Sequence, residues 1–290
     1  MLSLKEISLR KGKRTYLDEV SFTAEAGRIT AIVGTRSAGR TELVRVIMGL
    51  ITPDEGTVEL EGFELEYGDR QNFGYLPGER GGYPNMRVID QIVYLARLHG
   101  ITLGAAERNA LTLLSRLDLA DRGYAPLKNL SGAEIARVDI AATLAADPDV
   151  VVIDDAFSGL DAKSTELVMS LLRAHAASGV PVILATDDWA AAEKHADDIV
   201  ALGQGKVIAS GSVDDLLGEH RYRVALADAE AAAKSLTGRS GITEIEVIDT
   251  VITFRANDPG SAAATVARLE RVESFERVRP TLAEKYKETL

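Results

Sequence analysis

The sequence predicts an α/β fold: a parallel sheet covered on both faces by helices, followed by a smaller α+β domain. Three observations carry this. Strand-like and helix-like segments alternate through most of the chain. Some strand segments, such as Thr30-Ala31-Ile32-Val33 and Val150-Val151-Val152-Ile153, are apolar without a break, as strands buried on both faces are. The character then changes after Ser212, and Gly218-Glu219-His220 reads as a linker.

The elements follow in order. Leu2–Leu9 alternates as a half-buried strand; Val20–Ala24 and Ile29–Val33 follow across a turn at Ala26-Gly27. A helix is expected over Arg40–Leu50, then strands at Thr57–Leu60 and Asn72–Leu76. From Val88 to Ala146 the periodicity is helical: Ile89, Ile92, Val93 and Ala96 share a face, as do Leu111, Leu114 and Leu117. A strand at Val150–Ile153, a helix at Ala162–Ala177 and a strand at Val180–Ala185 continue the alternation. The last part reads as Tyr222–Leu226 (strand), Ala229–Leu236 (helix), Glu244–Ile248 with Val251–Arg255 (strand pair), Ser261–Leu269 (helix) and Val272–Val278 (strand). Pro280 is expected to open a closing helix.

Composition bounds the function. The chain has 290 residues and a formal net charge of -11, which disfavours nucleic acid as a partner, since a polyanion requires a basic stripe. No cysteine is present, so disulfides and thiolate metal sites are excluded, in keeping with a reducing compartment. Met1–Lys13 has no apolar stretch suited to a signal peptide, and no apolar run reaches the ~18 residues of a membrane span. A membrane role would therefore need a partner.

Three motifs carry chemistry. Gly34-Thr35-Arg36-Ser37-Ala38-Gly39-Arg40-Thr41, with Glu42 following, has phosphate-loop spacing, with Arg40 at the lysine position. Its backbone N–H groups and helix N-terminus suit an anion. Alone, it is equally a plain strand-to-helix turn. Asp154 and Asp155 end an apolar strand, where a carboxylate suits Mg²⁺ but could also cap a turn. The third motif is Leu130-Ser131-Gly132-Ala133-Glu134, followed by Arg137, the Asp154 strand and Ser158-Gly159-Leu160-Asp161.

In this order and spacing the chain resembles ABC ATPases, whose signature is LSGGQ and whose next loop is S-G-L-D. Phe73-Gly74-Tyr75-Leu76-Pro77-Gly78-Glu79-Arg80-Gly81-Gly82-Tyr83-Pro84 is similar to the GYLPEERGLYP stretch of NatA-like exporter ATPases, and Pro280-Thr281-Leu282-Ala283-Glu284 to their closing P-S-L-E-E helix. The resemblance implies an ABC-type nucleotide-binding domain of the P-loop NTPase fold over 1–217. It would hold a RecA-like core, an antiparallel β subdomain and a helical subdomain at about 87–146. A ferredoxin-like α+β domain would occupy 222–290. It implies ATP in the loop from Gly34 to Glu42, Mg²⁺ on Thr41 and Asp154, and catalytic positions at Asp155 and Asp187. It implies a head-to-tail dimer in which Ser131 and Gly132 meet the partner's γ-phosphate. Integral-membrane permease subunits would be the other partners. The expected location is cytoplasmic, peripheral on the inner face of the membrane.

Departures from the family cluster on one side. Arginine at position 40 keeps the charge but is longer and planar. Asp155 is one methylene shorter than the family's general-base glutamate; an offset on the order of 1 Å costs ~100-fold when positioning is the device. Asp187 stands at the switch histidine and cannot donate to a γ-phosphate when ionised. Gly78 stands at the sensing glutamine or glutamate. The adenine-stacking aromatic is missing: Arg10 and Lys11 lie near its place, and Tyr16 is read as part of the next strand. In the signature, Ser131 and Gly132 remain, while Ala133 narrows the approach and Glu134 is read as added negative charge. These features suggest the degenerate member of a heterodimer, with impaired hydrolysis at its own site.

Arg40 is expected close to Asp154, Asp155 and Asp187, free to take a bidentate carboxylate contact that occludes the pocket, or else merely solvated. The alternative reading is a non-hydrolysing pseudo-ATPase acting as a regulatory or structural binding module. A third, an ABC protein acting on DNA or ribosomes, lacks the expected paired units or insertions. Tyr83, Arg87 and Asp90 are candidates for permease contact, although the ordinary polarity of an exposed helix explains them as well. Asp188 is expected to cap a helix, and Trp189 and the histidines show no metal spacing. The C-terminal domain carries no catalytic constellation; regulation or dimer support and simple packing remain open.

Overall fold

The computed structural model describes residues 1–79, 81–218, 220–257, 259–278 and 281–286; the readings that fall on Arg80, Glu219 and Pro280 lie outside them. The chain forms two compact units, Met1–Val213 with Tyr286 from the chain end, and Asp214–Lys285.

In the first unit, β1 (Leu2–Lys11) and β2 (Arg14–Ala24) pair antiparallel around Gly12, which takes a φ of 62°. β3 (Ile29–Gly34) is buried at every residue and feeds α1 (Arg40–Ile47). This helix stops short of the expected Leu50. Gly49 adopts a left-handed φ of 69° and its N–H turns back to the Val46 carbonyl, which ends the helix. β4 (Glu55–Leu60) and β5 (Phe63–Glu64) complete an antiparallel sheet in the order β2-β1-β4-β5. After β6 (Phe73–Leu76) come α2 (Val88–Leu98), α3 (Leu103–Arg116) and α4 (Gly132–Leu144). Leu114 and Leu117 are buried as the periodicity implies, but Leu111 is exposed.

β7 (Val150–Ile153), α5 (Ala162–Ala176), β8 (Val182–Thr186), α6 (Trp189–His195), β9 (Asp198–Gly203) and β10 (Lys206–Ser212) close the unit. Its second sheet runs β10-β9-β3-β8-β7-β6. The five strands from β9 to β6 are parallel, and β10 adds antiparallel at the edge. β3, β7 and β8 are buried throughout because helices cover both faces. One apolar cluster joins the two sheets through Leu2, Ile7, Leu17, Ile32, Leu43 and Val152. Each large aliphatic side chain fully buried in this way contributes about 1.5–3 kcal/mol.

The second unit begins within α7 (Val213–Leu217), runs through β11 (His220–Leu226), α8 (Ala229–Leu236), β12 (Ile242–Ile248), β13 (Val251–Ala256), α9 (Pro259–Val266) and β14 (Val272–Val278), and ends within α10 (Leu282–Tyr286). Its four strands form an antiparallel sheet in the order β12-β13-β11-β14, the ferredoxin-like βαββαβ arrangement. Tyr222 stacks on Phe254 and Phe275, with ring centres 5.8 and 5.5 Å away, over a core of Val224, Leu236 and Ile252. α10 starts from a capping box: the Thr281 N–H donates to Glu284 Oε2 at 2.9 Å, and the Glu284 N–H to Thr281 Oγ1 at 3.2 Å.

Candidate functional site

Three strand ends meet at one edge of the parallel sheet. β8 lies between β3 and β7, with Val33 opposite Thr186 and Leu184 opposite Ile153. The segments leaving these strands therefore emerge side by side, where ligands of open α/β sheets bind. They enclose a cleft of about 470 Å³ lined by Arg36, Arg40, Thr41, Arg45, Tyr75, Gly78, Asp154, Asp155 and Asp187, among others.

The loop from Gly34 to Thr41 is shaped by its glycines. A Cβ on Gly34 would lie 2.5 Å from the Leu202 carbonyl oxygen and 2.8 Å from Ala38 Cβ. Gly39 takes a φ of 98°, and a Cβ there would lie 2.5 Å from the Tyr16 carbonyl oxygen. Only glycine fits both. The Ala38 N–H closes the turn onto the Thr35 carbonyl at 3.0 Å. Thr35, Arg36 and Ser37 are exposed, and Glu42 is half-buried on α1.

Arg40 is the first residue of α1, and its side chain is only 12% exposed. Its Nη2 lies 3.7 Å from Asp187 Oδ2. The expected bidentate contact is not formed: 3.7 Å is an ion pair, too long for a hydrogen bond. Nη1 is buried without a hydrogen-bond partner. Burial pushes the guanidinium below its ordinary pKa, opposed by Asp187, Asp154 and Asp155.

Asp154 is 7% exposed. Burial raises its pKa, against a hydrogen bond from Thr41 and the charge of Arg40. Asp155 holds a left-handed φ of 54°, a conformation aspartate tolerates better than most residues. A Cβ on Gly78 would lie 3.4 Å from Asp155 Cβ and 3.7 Å from Asp154 Oδ2, so this position faces both carboxylates with no side chain of its own. Asp187 is 51% exposed. Asp188 accepts from the Ala191 N–H at 2.9 Å and caps α6, which Trp189 opens. Thr41 and Asp154 offer two oxygens to a cation. Among the described residues no group of three His, Asp or Glu is arranged to hold a metal. Mg²⁺ fits here only with phosphate oxygens and water completing its octahedron.

The signature residues lie elsewhere: Ser131 and Gly132 are exposed at the start of α4 and do not line this cleft. Ser131 and Glu134 form a capping box, with the Ser131 N–H donating to Glu134 Oε2 at 2.8 Å and the Glu134 N–H to Ser131 Oγ at 3.3 Å. The Ser131 hydroxyl also donates to Oε2 at 2.9 Å, and Arg122 Nε donates to Oε1 at 2.9 Å. The Ser131 N–H chiefly, with Ser131 Oγ and Arg122, holds Glu134 below the usual carboxylate range. Glu134 is therefore ionised, as its reading as added negative charge requires, and Arg122 pairs with that charge. Tyr16 belongs to β2, with the Arg14 guanidinium 4.6 Å and the Lys11 ammonium 5.7 Å from its ring centre.

A second concavity, about 630 Å³, opens between α2 and α3 and is lined by Tyr94, Leu98, Leu103, Leu111 and Tyr124, with Arg87 and Asp90 beside them. Arg87 grips Asp90 through two hydrogen bonds of 2.5 and 2.9 Å, and Tyr83 meets Tyr94 edge-on at 6.0 Å. Of these residues the sequence singles out Tyr83, Arg87, Asp90 and, as a core residue, Leu111.

Comparison with known proteins agrees with this geometry. The ABC transporter family profile matches residues 17–158. A daunorubicin resistance ATP-binding protein of Streptomyces coeruleorubidus is 32% identical over 248 residues, covering 81% of this chain and 77% of that protein. The chain belongs to the family of ABC transporter ATP-binding proteins. The daunorubicin/doxorubicin resistance ATP-binding protein of Streptomyces peucetius is 29% identical over 266 residues, 88% of this chain and 80% of its own. Among solved structures, an ATP-binding subunit of an ABC transporter superposes with a TM-score of 0.68 at 26% identity, covering 74% of this chain and 91% of that one. A dimeric cassette bound to ADP and phosphate shares the fold, with a TM-score of 0.66 at 22% identity over 74% of this chain and 99% of its own. This ABC subunit is thus a nucleotide-binding component of a transporter, of a family whose members bind ATP, dimerise and associate with permeases. Among its described residues no helix is long and apolar enough to cross a membrane.

Proposed function

We propose that this subunit serves an exporter as the degenerate half of a head-to-tail pair, with impaired hydrolysis at its own phosphate-loop cleft. The observation that carries the proposal is Arg40, which is buried, paired with Asp187 and left with an unpartnered Nη1. A cation committed to the chain's own carboxylate is poorly placed to serve a nucleotide. Asp155 and Gly78 support the same reading, since each shortens or removes a side chain aimed at the cleft. Nucleotide would lie on the loop from Gly34 to Thr41, and Mg²⁺ on Thr41 and Asp154 with the phosphates. Ser131 and Gly132, exposed and unobstructed, would complete the partner's site.

Coupling is proposed through the groove between α2 and α3, whose exposed Tyr94, Leu98, Leu103 and Leu111 suit an apolar segment of a permease. The subunit would lie on the cytoplasmic face of the membrane through that partner. The resistance functions of the two daunorubicin relatives support export as the direction.

Steady-state turnover of the purified chain tests this proposal. The expected rate lies about 100-fold below that of an Arg40→Lys, Asp155→Glu double variant. Brisk turnover by the parent, lost on Asp154→Asn, would overturn the impaired-site reading. Binding without turnover, in parent and double variant alike, would favour a non-hydrolysing binding module.

A further inference from the structure

We infer that the phosphate-loop cleft holds a nucleoside diphosphate in preference to a triphosphate, because the Asp187 carboxylate occupies the place at which a third phosphate would meet Arg40. The inference rests on the proposed binding of nucleotide in this cleft.

The argument starts from the loop. Backbone N–H groups of such a loop cradle the inner phosphates, and the cation at its end reaches toward the outer ones. That cation is Arg40. Its two terminal nitrogens differ: Nη2 faces Asp187 Oδ2 at 3.7 Å, while Nη1 is buried with no hydrogen-bond partner. One nitrogen is matched by an anion of the chain itself, and the other is shut away from the cleft. A diphosphate held by the loop's backbone N–H groups leaves the Arg40–Asp187 pair intact. A triphosphate must push its last group into the pair.

Topology fixes the conflict. β8 runs between β3 and β7, so Asp187 leaves the sheet between the phosphate loop and Asp154. A third phosphate projecting past Arg40 would meet Asp187 and the carboxylates of Asp154 and Asp155, all of which line the cleft. An ionised carboxylate accepts hydrogen bonds but donates none. Gly78, across the cleft, supplies no side-chain donor in compensation. Because Asp187 is 51% exposed, water and salt screen the repulsion. The bias is therefore moderate, about tenfold rather than many thousandfold.

The test is calorimetric titration of the full chain with ADP and with ATP, each with Mg²⁺, for the parent and for Asp187→Asn. The asparagine is isosteric and half-exposed, and a thermal melt checks that the variant is folded. The parent is expected to bind ADP about tenfold more tightly than ATP, and the variant to reduce that ratio to about threefold or less, mainly by gaining ATP affinity. Equal affinities in the parent, tighter ATP, or a ratio unmoved by Asp187→Asn would overturn the inference and leave the nucleotide site standing. Failure of both proteins to bind either nucleotide would remove the site itself, and the inference with it.

Discussion

The phosphate-loop cleft and the signature turn handle buried charge in opposite ways. In the cleft, a cation is largely shielded from water without full compensation: Arg40 has one long ion pair and one unpartnered nitrogen. At the signature turn, the anion of Glu134 is satisfied by the Ser131 N–H, the Ser131 hydroxyl and Arg122. The first region leaves a buried donor unpartnered, and the second completes the hydrogen bonds of its anion locally. A buried unpartnered donor costs stability, whereas a completed capping box contributes it.

The largest expected difference between the two regions lies in their glycines. Gly39→Ala should cost about 2–5 kcal/mol, combining a left-handed backbone with a clash against the Tyr16 carbonyl. Gly132→Ala should be neutral or stabilising by up to about 1 kcal/mol, since nothing lies within 4 Å of its Cβ position and alanine favours the helix. Urea unfolding of both variants measures this, and equal costs would break the comparison.

Next comes charge removal. Arg40→Met should stabilise the protein by about 1–3 kcal/mol, because it deletes a buried unpartnered donor. Denaturant midpoints would show it, and a loss of stability would mean that the Asp187 pair outweighs the burial.

The two carboxylates should then respond to pH with opposite signs. Asp154 is raised by burial above its ordinary 3.8, so its stabilising contribution is complete below that value and is lost as pH rises through the raised pKa. Glu134 is held below its ordinary 4.5, so its contribution is complete above that value and is lost as pH falls through the lowered pKa. On acidification from about pH 7 toward pH 3.5, the parent should gain stability relative to Asp154→Asn and lose about 1 kcal/mol relative to Glu134→Gln. Melting temperatures across that range decide it, and slopes of the same sign would refute the contrast. The smallest effect is Arg122→Ala, about 0.5 kcal/mol in the same melts, because Arg122 is largely exposed.

Much of this arrangement is legible in the sequence, for identifiable reasons. β3, β7 and β8 announce themselves as unbroken apolar runs because both faces of the sheet are covered. The phosphate loop is legible from spacing, since two glycines must sit where the backbone approaches Leu202 and Tyr16. β9 carries the same signal at Ile199–Leu202 yet lies outside the expected strands, and β10 is obscured by its small residues Ala209, Ser210 and Gly211. The Ser131–Glu134 capping box has the S-x-x-E spacing that reveals it. Arg122, twelve residues earlier, enters only through folding. Leu111 keeps helical spacing with buried neighbours yet faces a groove, and periodicity alone cannot separate those outcomes. The rank of the aspartates around Arg40 was hidden for a topological reason: only the order β3-β8-β7 puts Asp187 nearest.

One further property follows from the start of α6. Trp189 is the chain's single tryptophan and follows Asp187 by two residues. The segment that answers to Arg40 thus carries its own optical label. Indole emission, excited selectively over the eight tyrosines, reports on this turn and on the Tyr286 ring stacked against it, 6.5 Å between centres. Any ligand, ion or partner that shifts Asp187 can be followed in the unmodified protein, in real time and at low concentration.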